Sequence, residues 1–273
     1  MPIHPTAIID PRAKIDSTAH VGPFCIIDGD VEIGPGCRLL HGVYVTGWTT
    51  IGADCEIHPH AILGHAPQDI KYHGERSYCR IGRGCIIREN VSVHRGTIPD
   101  SETTVGDGCF LLGGSHVGHN CRVGNKVTLI NNVLLAGHVT VEDDVTIGGA
   151  TAVHQFVRIG ELAMVAGGAR VSMDVPPFAL TDPQGRVAGL NRIGLRRNDY
   201  GREELTALRE AYRTLYGGGE EFRDWVQKLA QQATTPATQK LLRFIESPTR
   251  RGIVGRSRGR GSRDAGDARE MSA

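Results

Sequence analysis

Histidine is the residue type in this chain whose placement first suggests chemistry. There are twelve, and His116, His119, His138 and His154 fall close together. Residues 119, 137 and 155 are eighteen apart. If the chain turns once every eighteen residues, His119, Gly137 and Gln155 stack in one column. His138 and His154 then stand one residue off that column, and His116 one turn aside. Two chemistries suit such a cluster. One is acyl transfer, in which neutral imidazole takes a hydroxyl proton near pH 7. The main-chain N–H of Gly137, with no side chain to block approach, would donate to a tetrahedral oxyanion. The other is metal hydration, since three neutral histidines hold zinc with water as fourth ligand.

The eighteen-residue turn follows from the repeat that must carry these groups. An aliphatic residue recurs every six positions, as in Ile3, Ile9, Ile15, Val21, Ile27 and Ile33. The same step resumes from Ile81 to Val93 and from Val105 to Val171. A second slot, four residues later, holds small residues such as Ala7, Ala13, Ala19 and Cys25. A small residue and the next aliphatic one are two apart, so on a strand they face the same side. Each hexad is therefore a short strand with two inward residues. Three hexads make one triangular coil, and the coils stack by parallel pairing into a solenoid. Glycine often follows the aliphatic residue (Gly22, Gly34, Gly52, Gly118), which suggests a tight corner with positive φ.

Two polar stretches interrupt the hexads, at 64–80 and 95–104, and the repeat resumes in phase after each. Loops thrown out from a rigid scaffold tend to carry function, and the first is the better candidate. Past residue 178 the pattern turns helical. Leu205, Leu208, Tyr212 and Leu215 fit one helix face, Phe222, Trp225, Val226 and Leu229 a second, and Leu241, Phe244 and Ile245 a third. The expected organisation is a β-helix over 1–191, a small helical domain over 192–248 covering the last coil, and a basic, disordered tail over 249–273. That tail holds seven arginines against three acids, whereas the whole chain carries a formal charge of only +1.

Six of the seven cysteines (Cys25, Cys37, Cys55, Cys85, Cys109 and Cys121) occupy the small inward slot. There they act as small hydrophobes; only Cys79 falls in a loop. Reduced thiols, no secretory signal and no long apolar run suggest a cytoplasmic protein without a membrane span. His4, His20, His41, His58 and His60 read as outward, solvated residues.

Seven segments together carry a resemblance to a known family: PQDIKY (67–72), RENVSVHRGT (88–97), SHVGHNCRVGN (115–125), LAGHVTVEDD (135–144), GGATAVHQFVRIG (148–160), DVPPF (174–178) and GLNRIGLRR (189–197). The chain resembles the UDP-N-acetylglucosamine O-acyltransferases, hexapeptide-repeat enzymes that open lipid A synthesis. The resemblance implies a left-handed parallel β-helix with a C-terminal helical domain; periodicity alone would favour the right hand. It also implies a homotrimer with the site between two prisms. The reaction would move a (3R)-3-hydroxyacyl chain from acyl carrier protein to the sugar 3-hydroxyl, with no cofactor and no metal.

By position, the resemblance makes His119 the general base and the Gly137 N–H the oxyanion donor. Gln68, Asp69 and Lys71 would contact the sugar nucleotide, His94 its diphosphate, and His154 and Arg197 the nucleotide. His116, His138, Gln155 and Asn191 would be further substrate contacts, and Gly167 would limit acyl length. Exposed bases such as Lys126 and Arg170 would face the acidic carrier protein. Two departures stand out. Asn120 follows the base where the family often has Asp, and Ile193 replaces a Glu. Three rival readings remain. A related N-acyltransferase has an additional N-terminal uridine-binding domain, for which hexads beginning at Ile3 leave no room. A carbonic anhydrase-like trimer needs histidines at spacings absent here. The third is a hexapeptide prism that only binds.

Overall fold

The computed structural model describes residues 3–216 and 222–255. Its larger part is a left-handed parallel β-helix of triangular section. The three faces are sheets of nine, eight and ten strands among the described residues. Most strands are two to four residues long, because each hexad must also turn a corner. Pairing steps by one coil, as in Ile8 with Ile26 and Thr128 with Thr146. Across the interruptions the step lengthens by whole hexads. Ile51 pairs with Ile81, thirty positions on, and Val93 with Val117, twenty-four on. The insertions thus amount to two hexads and one, which keeps the repeat in phase.

Aliphatic and small slots both point inward. Ile27, Leu39, Ile57, Leu63, Leu111 and Leu135 are fully buried, stacked against Cys25, Val31, Cys37, Cys55 and Ala61. The first insertion is shorter than the polar run suggests. The strand Ile62–His65 extends past Leu63, and Tyr78–Ile81 begins before Ile81. Cys79, expected in a loop, instead lies in that second strand, buried between Thr49 and Thr103. All seven cysteines are buried and unpaired. Burial pushes the Cys79 and Cys121 thiols up to about 12.

Gly22, Gly34, Gly52 and Gly118 do not take positive φ, although Gly64, after Leu63, does at 75°. The left-handed position falls three residues after the aliphatic one, at Asn120, His138 and Phe156 as well as at glycines. What those glycines supply is clearance. A Cβ on Gly22 would lie 2.9 Å from main-chain atoms of the next coil, on Gly52 2.7 Å and on Gly118 2.8 Å.

The last coil is closed by a hairpin, Ala179–Thr181 with Val187–Leu190, and by four helices. These are α1 (Arg192–Arg197), α2 (Arg202–Tyr216), α3 (Phe222–Gln232) and α4 (Pro236–Glu246). Leu208, Ala211 and Leu215 bury the inner face of α2, and the Tyr212 hydroxyl donates to the Pro177 carbonyl. Arg158 ties prism to cap: it pairs with buried Asp174 at 2.8 Å and donates to the Phe244 carbonyl at 3.2 Å.

The first residues of the expected tail are ordered. Residues 249–255 return to the prism, where the Asp174 N–H donates to the Gly252 carbonyl at 2.8 Å. The Val254 N–H donates to the Asp174 carbonyl at 2.9 Å, and the Val254 side chain is buried. The composition that suggested disorder conceals Ile253 and Val254, which are apolar enough to dock. The rest of the expected tail, 256–273, lies outside the described residues.

Candidate active site

One corner of the prism carries the histidine cluster. After the strand His116–Val117 the chain turns through Gly118, His119 and Asn120, with Asn120 at φ 60°. His138 and Phe156 take the same conformation one and two coils on, so Asn120, His138 and Phe156 form a column beside His119, Gly137 and Gln155. Ladder bonds fix the spacing: the His138 N–H donates to the His119 carbonyl at 2.9 Å, and the Phe156 N–H to the Gly137 carbonyl at 3.2 Å.

The His119 imidazole lies directly over Gly137. A methyl built on Gly137 would fall 2.5 Å from Nε2 and 3.0 Å from Nδ1. Only glycine leaves room for the ring there. The Gly137 N–H has no acceptor among the described residues. A ring nitrogen and an amide N–H without a protein acceptor therefore lie side by side at this corner, Gly137 itself being buried beneath the ring, and acyl transfer uses that pair.

The rings continue in both directions. His138 meets His119 edge-on at 5.2 Å between centroids, and stacks on Phe156 at 4.7 Å. His116 meets His94 at 4.7 Å, and its Nδ1 lies 2.8 Å from the Ser92 hydroxyl. Burial, reinforced by neighbouring histidines, pushes His94 down to about 4. Burial and His119 also lower His116 and His138, and Arg250 adds to the effect on His138. These rings are neutral near pH 7, where they can exchange hydrogen bonds with a substrate without carrying charge.

The first insertion brings Asp69 back over this corner. Its Oδ2 is 4.0 Å from His119 Nε2, with the two side chains 27% and 16% exposed. The Lys71 N–H holds the other carboxylate oxygen at 3.0 Å. Arg95 pins the insertion, donating to the Tyr72 hydroxyl at 2.7 and 3.0 Å and to the Gly64 carbonyl at 2.8 Å. Gln68 and the Lys71 side chain are exposed beside Asp69.

His94, His116, His119, Gly137, His138 and Asp69 are thus brought together within one chain. His154 and Gln155 lie at the lower rim, where Arg251 donates to the Gln155 carbonyl at 2.8 Å and contacts the His154 ring. Asn191 spends both polar ends internally, capping α1 through Gly194 N–H at 3.0 Å and donating to the Leu162 carbonyl at 2.8 Å. Arg197 is exposed on α1. Gly167 lies near Gly149, in the column of Asn131 on a different corner. Sequence spacing does not single out Ser92, Arg95, Thr97 or Phe156. The coil ruler finds Phe156, one coil beyond His138, and reaches Ser92 once lengthened by the second insertion. Among the described residues no three His, Cys, Asp or Glu groups converge as a metal site would need.

Residues 174–254 match the family described as UDP N-acetylglucosamine O-acyltransferase, domain 2, and residues 30–65 match the bacterial transferase hexapeptide repeat. An acyl-[acyl-carrier-protein]–UDP-N-acetylglucosamine O-acyltransferase of Syntrophobacter fumaroxidans is 39% identical, over 93% of this chain and all of that one. Its counterpart from Halorhodospira halophila is 42% identical over 92% of this chain and 98% of that one. The crystal structure of Francisella novicida UDP-N-acetylglucosamine acyltransferase superposes with a TM-score of 0.90 at 33% identity, covering 93% of this chain and 94% of that one.

Proposed function

The chain belongs to the UDP-N-acetylglucosamine O-acyltransferase family, and from that premise we propose how its own residues carry out the transfer. It is an acyltransferase of lipid A biosynthesis, with acyl carrier protein as donor and UDP-N-acetylglucosamine as acceptor. His119 Nε2 removes the proton of the sugar 3-hydroxyl as that oxygen attacks the (3R)-3-hydroxyacyl thioester carbonyl. The Gly137 N–H donates to the tetrahedral oxyanion. Collapse breaks the carbon–sulfur bond, and the departing thiolate takes the proton back from His119. The observation that carries this reading is the His119 ring seated on Gly137 beside an unpaired amide N–H. A general base contributes ~10²–10⁴ in rate and an oxyanion donor ~10²–10³.

Asp69, with Gln68 and Lys71 beside it, receives the sugar hydroxyls. His116, His138 and Gln155 supply further substrate contacts, His94 meets the diphosphate, and His154 and Arg197 meet the nucleotide. Asn191 acts on this region through α1, which it caps. Gly167 leaves the acyl groove open. The cluster lies outside a solid prism, so a ligand needs a second wall. His116 belongs to an outward column containing Ile8, Ile26, Ile62 and Leu134, which are 64%, 40%, 38% and 49% exposed. That apolar stripe supports burial against another copy, and a rotational trimer supplies the second wall three times. The unpaired thiols support a reducing compartment, the cytoplasm. No described helix is long and apolar enough to cross a membrane.

The direct assay feeds (3R)-hydroxyacyl carrier protein and UDP-N-acetylglucosamine to the purified chain and weighs the product. One acyl group should appear on the sugar nucleotide. His119→Ala should lower kcat by about 10²-fold or more; a variant as active as the parent removes His119 as the base.

A further inference from the structure

The Asn120 amide oxygen is where three donors converge. It accepts the Thr97 main-chain N–H at 3.2 Å and the Thr97 hydroxyl at 2.9 Å, and it lies 3.0 Å from His119 Nδ1. A main-chain N–H only donates, so the side-chain oxygen of Asn120, not its NH2, faces Thr97. The same oxygen faces His119, so Nδ1 must carry a proton. A neutral ring protonated at Nδ1 has its lone pair on Nε2, the nitrogen turned toward Asp69.

We infer that Thr97 is a positioning residue for the acyl transfer proposed above, and that the second insertion serves to hold His119 in its Nδ1–H form. The inference rests on that reading for its effect on rate, while the tautomer itself is independent of it. The insertion is built to be stiff. The Ser101 hydroxyl accepts from the Ile98 N–H at 3.1 Å and donates to the Ile98 carbonyl at 2.8 Å. Arg76 pairs with Asp100 at 2.9 Å, and the Ser77 hydroxyl donates to the Gly96 carbonyl at 2.7 Å, so the two insertions are bonded to each other. Asn120 is fixed from its main chain as well: its N–H donates to the buried Thr103 hydroxyl at 2.7 Å. Thr97 is itself buried.

The two insertions therefore address the two nitrogens of one ring. Thr97, through Asn120, fixes Nδ1 from behind, and Asp69 faces Nε2 in front. The groups facing this ring are Asp69, His138, His116 and, farther off, His94; the partner behind it is an uncharged amide. Once Nε2 takes the sugar proton, the imidazolium keeps its Nδ1–H bond to Asn120, and its countercharge is Asp69.

The tautomer is read by two-bond 1H–15N spectra of the full chain with 15N-histidine at pH 8, the His119 signal being assigned by its loss in His119→Gln. The expected result is a protonated Nδ1 and an unprotonated Nε2; the reverse pattern overturns the inference, whether or not the chain transfers acyl groups. Thr97→Val removes the hydroxyl and keeps the N–H. It should lower kcat about 10-fold, with KM for the sugar nucleotide within about twofold, and populate the other tautomer. Thr97→Ser should restore both. Unchanged kcat and tautomer in Thr97→Val, or failure of Ser to rescue a loss, overturns the role of Thr97. Should Thr97→Val not fold, the parent spectrum still decides the tautomer, and Thr97→Ser, expected to keep kcat within about twofold, decides the role: a larger loss overturns it.

Discussion

An alanine at 137 would place its methyl inside the volume of the His119 ring, 2.5 Å from Nε2. The coil above cannot yield without breaking its ladder, so the imidazole must swing away. Gly137→Ala should therefore lower kcat by about 10²-fold with the fold intact, because it displaces the base without removing it. Circular dichroism matching the parent alongside retained turnover would refute that. His94 supports a second expectation. Its folded pKa of about 4 lies below the ordinary 6.5, first because it is buried and then because His116, His65, His119 and Arg95 surround it. Between those values the unfolded chain binds a proton that the folded chain refuses. Stability should therefore fall as pH drops from about 6.5 to 4 and draw no further loss from this group below 4. His94→Gln should flatten the urea midpoint against pH across that window; an unchanged slope would assign the acid sensitivity elsewhere.

Strands and corners were legible in the sequence because each inward slot repeats, so that one misfit residue cannot hide the period. The meeting of His119 with Gly137 was legible for the same reason, since the turn length follows from the hexad. Gly22, Gly34, Gly52 and Gly118 serve clearance rather than positive φ, because two demands act within one hexad. Clearance between coils selects glycine at one position, while the left-handed position three residues after the aliphatic slot tolerates Asn120, His138 and Phe156. Insertions have no period, so neither the Arg95–Tyr72 clamp nor the Thr97–Asn120 contact could be placed from spacing. The segment after α4 was obscured by its arginines, which outweigh Ile253 and Val254 in composition. Deleting 249–273 leaves the buried main chain of Asp174 without the partners it has in Gly252 and Val254, and the Val187 N–H without the Gly255 carbonyl. Each unpaired buried group costs about 1–3 kcal/mol. Equilibrium urea unfolding should show a loss of about 2–4 kcal/mol, and a loss under about 0.5 kcal/mol would mean the segment only rests on the prism.

Among the described residues the inward side chains of the prism are buried against one another, so its chemistry belongs to its outside. On the nine-stranded face the outward column runs in register from Ile8 through Ile26, Tyr44, Ile62, Ser92 and His116 to Leu134. Leu134 is 49% exposed and pairs with His116, so the apolar stripe and the imidazole cluster share an edge. A face that leaves such side chains in water gains about 25 cal/mol for each Å² it buries. Burying it against a neighbour's different face closes a ring and walls the site in the same step, whereas a two-fold pairing would cover this stripe with itself. Sedimentation equilibrium should accordingly give three chains per particle. Leu134→Asp puts a carboxylate into the buried seam and should release monomers that keep the β-helix spectrum but lose transfer activity. Monomers that still transfer would show that one prism suffices, and that the second wall comes from elsewhere in the same chain.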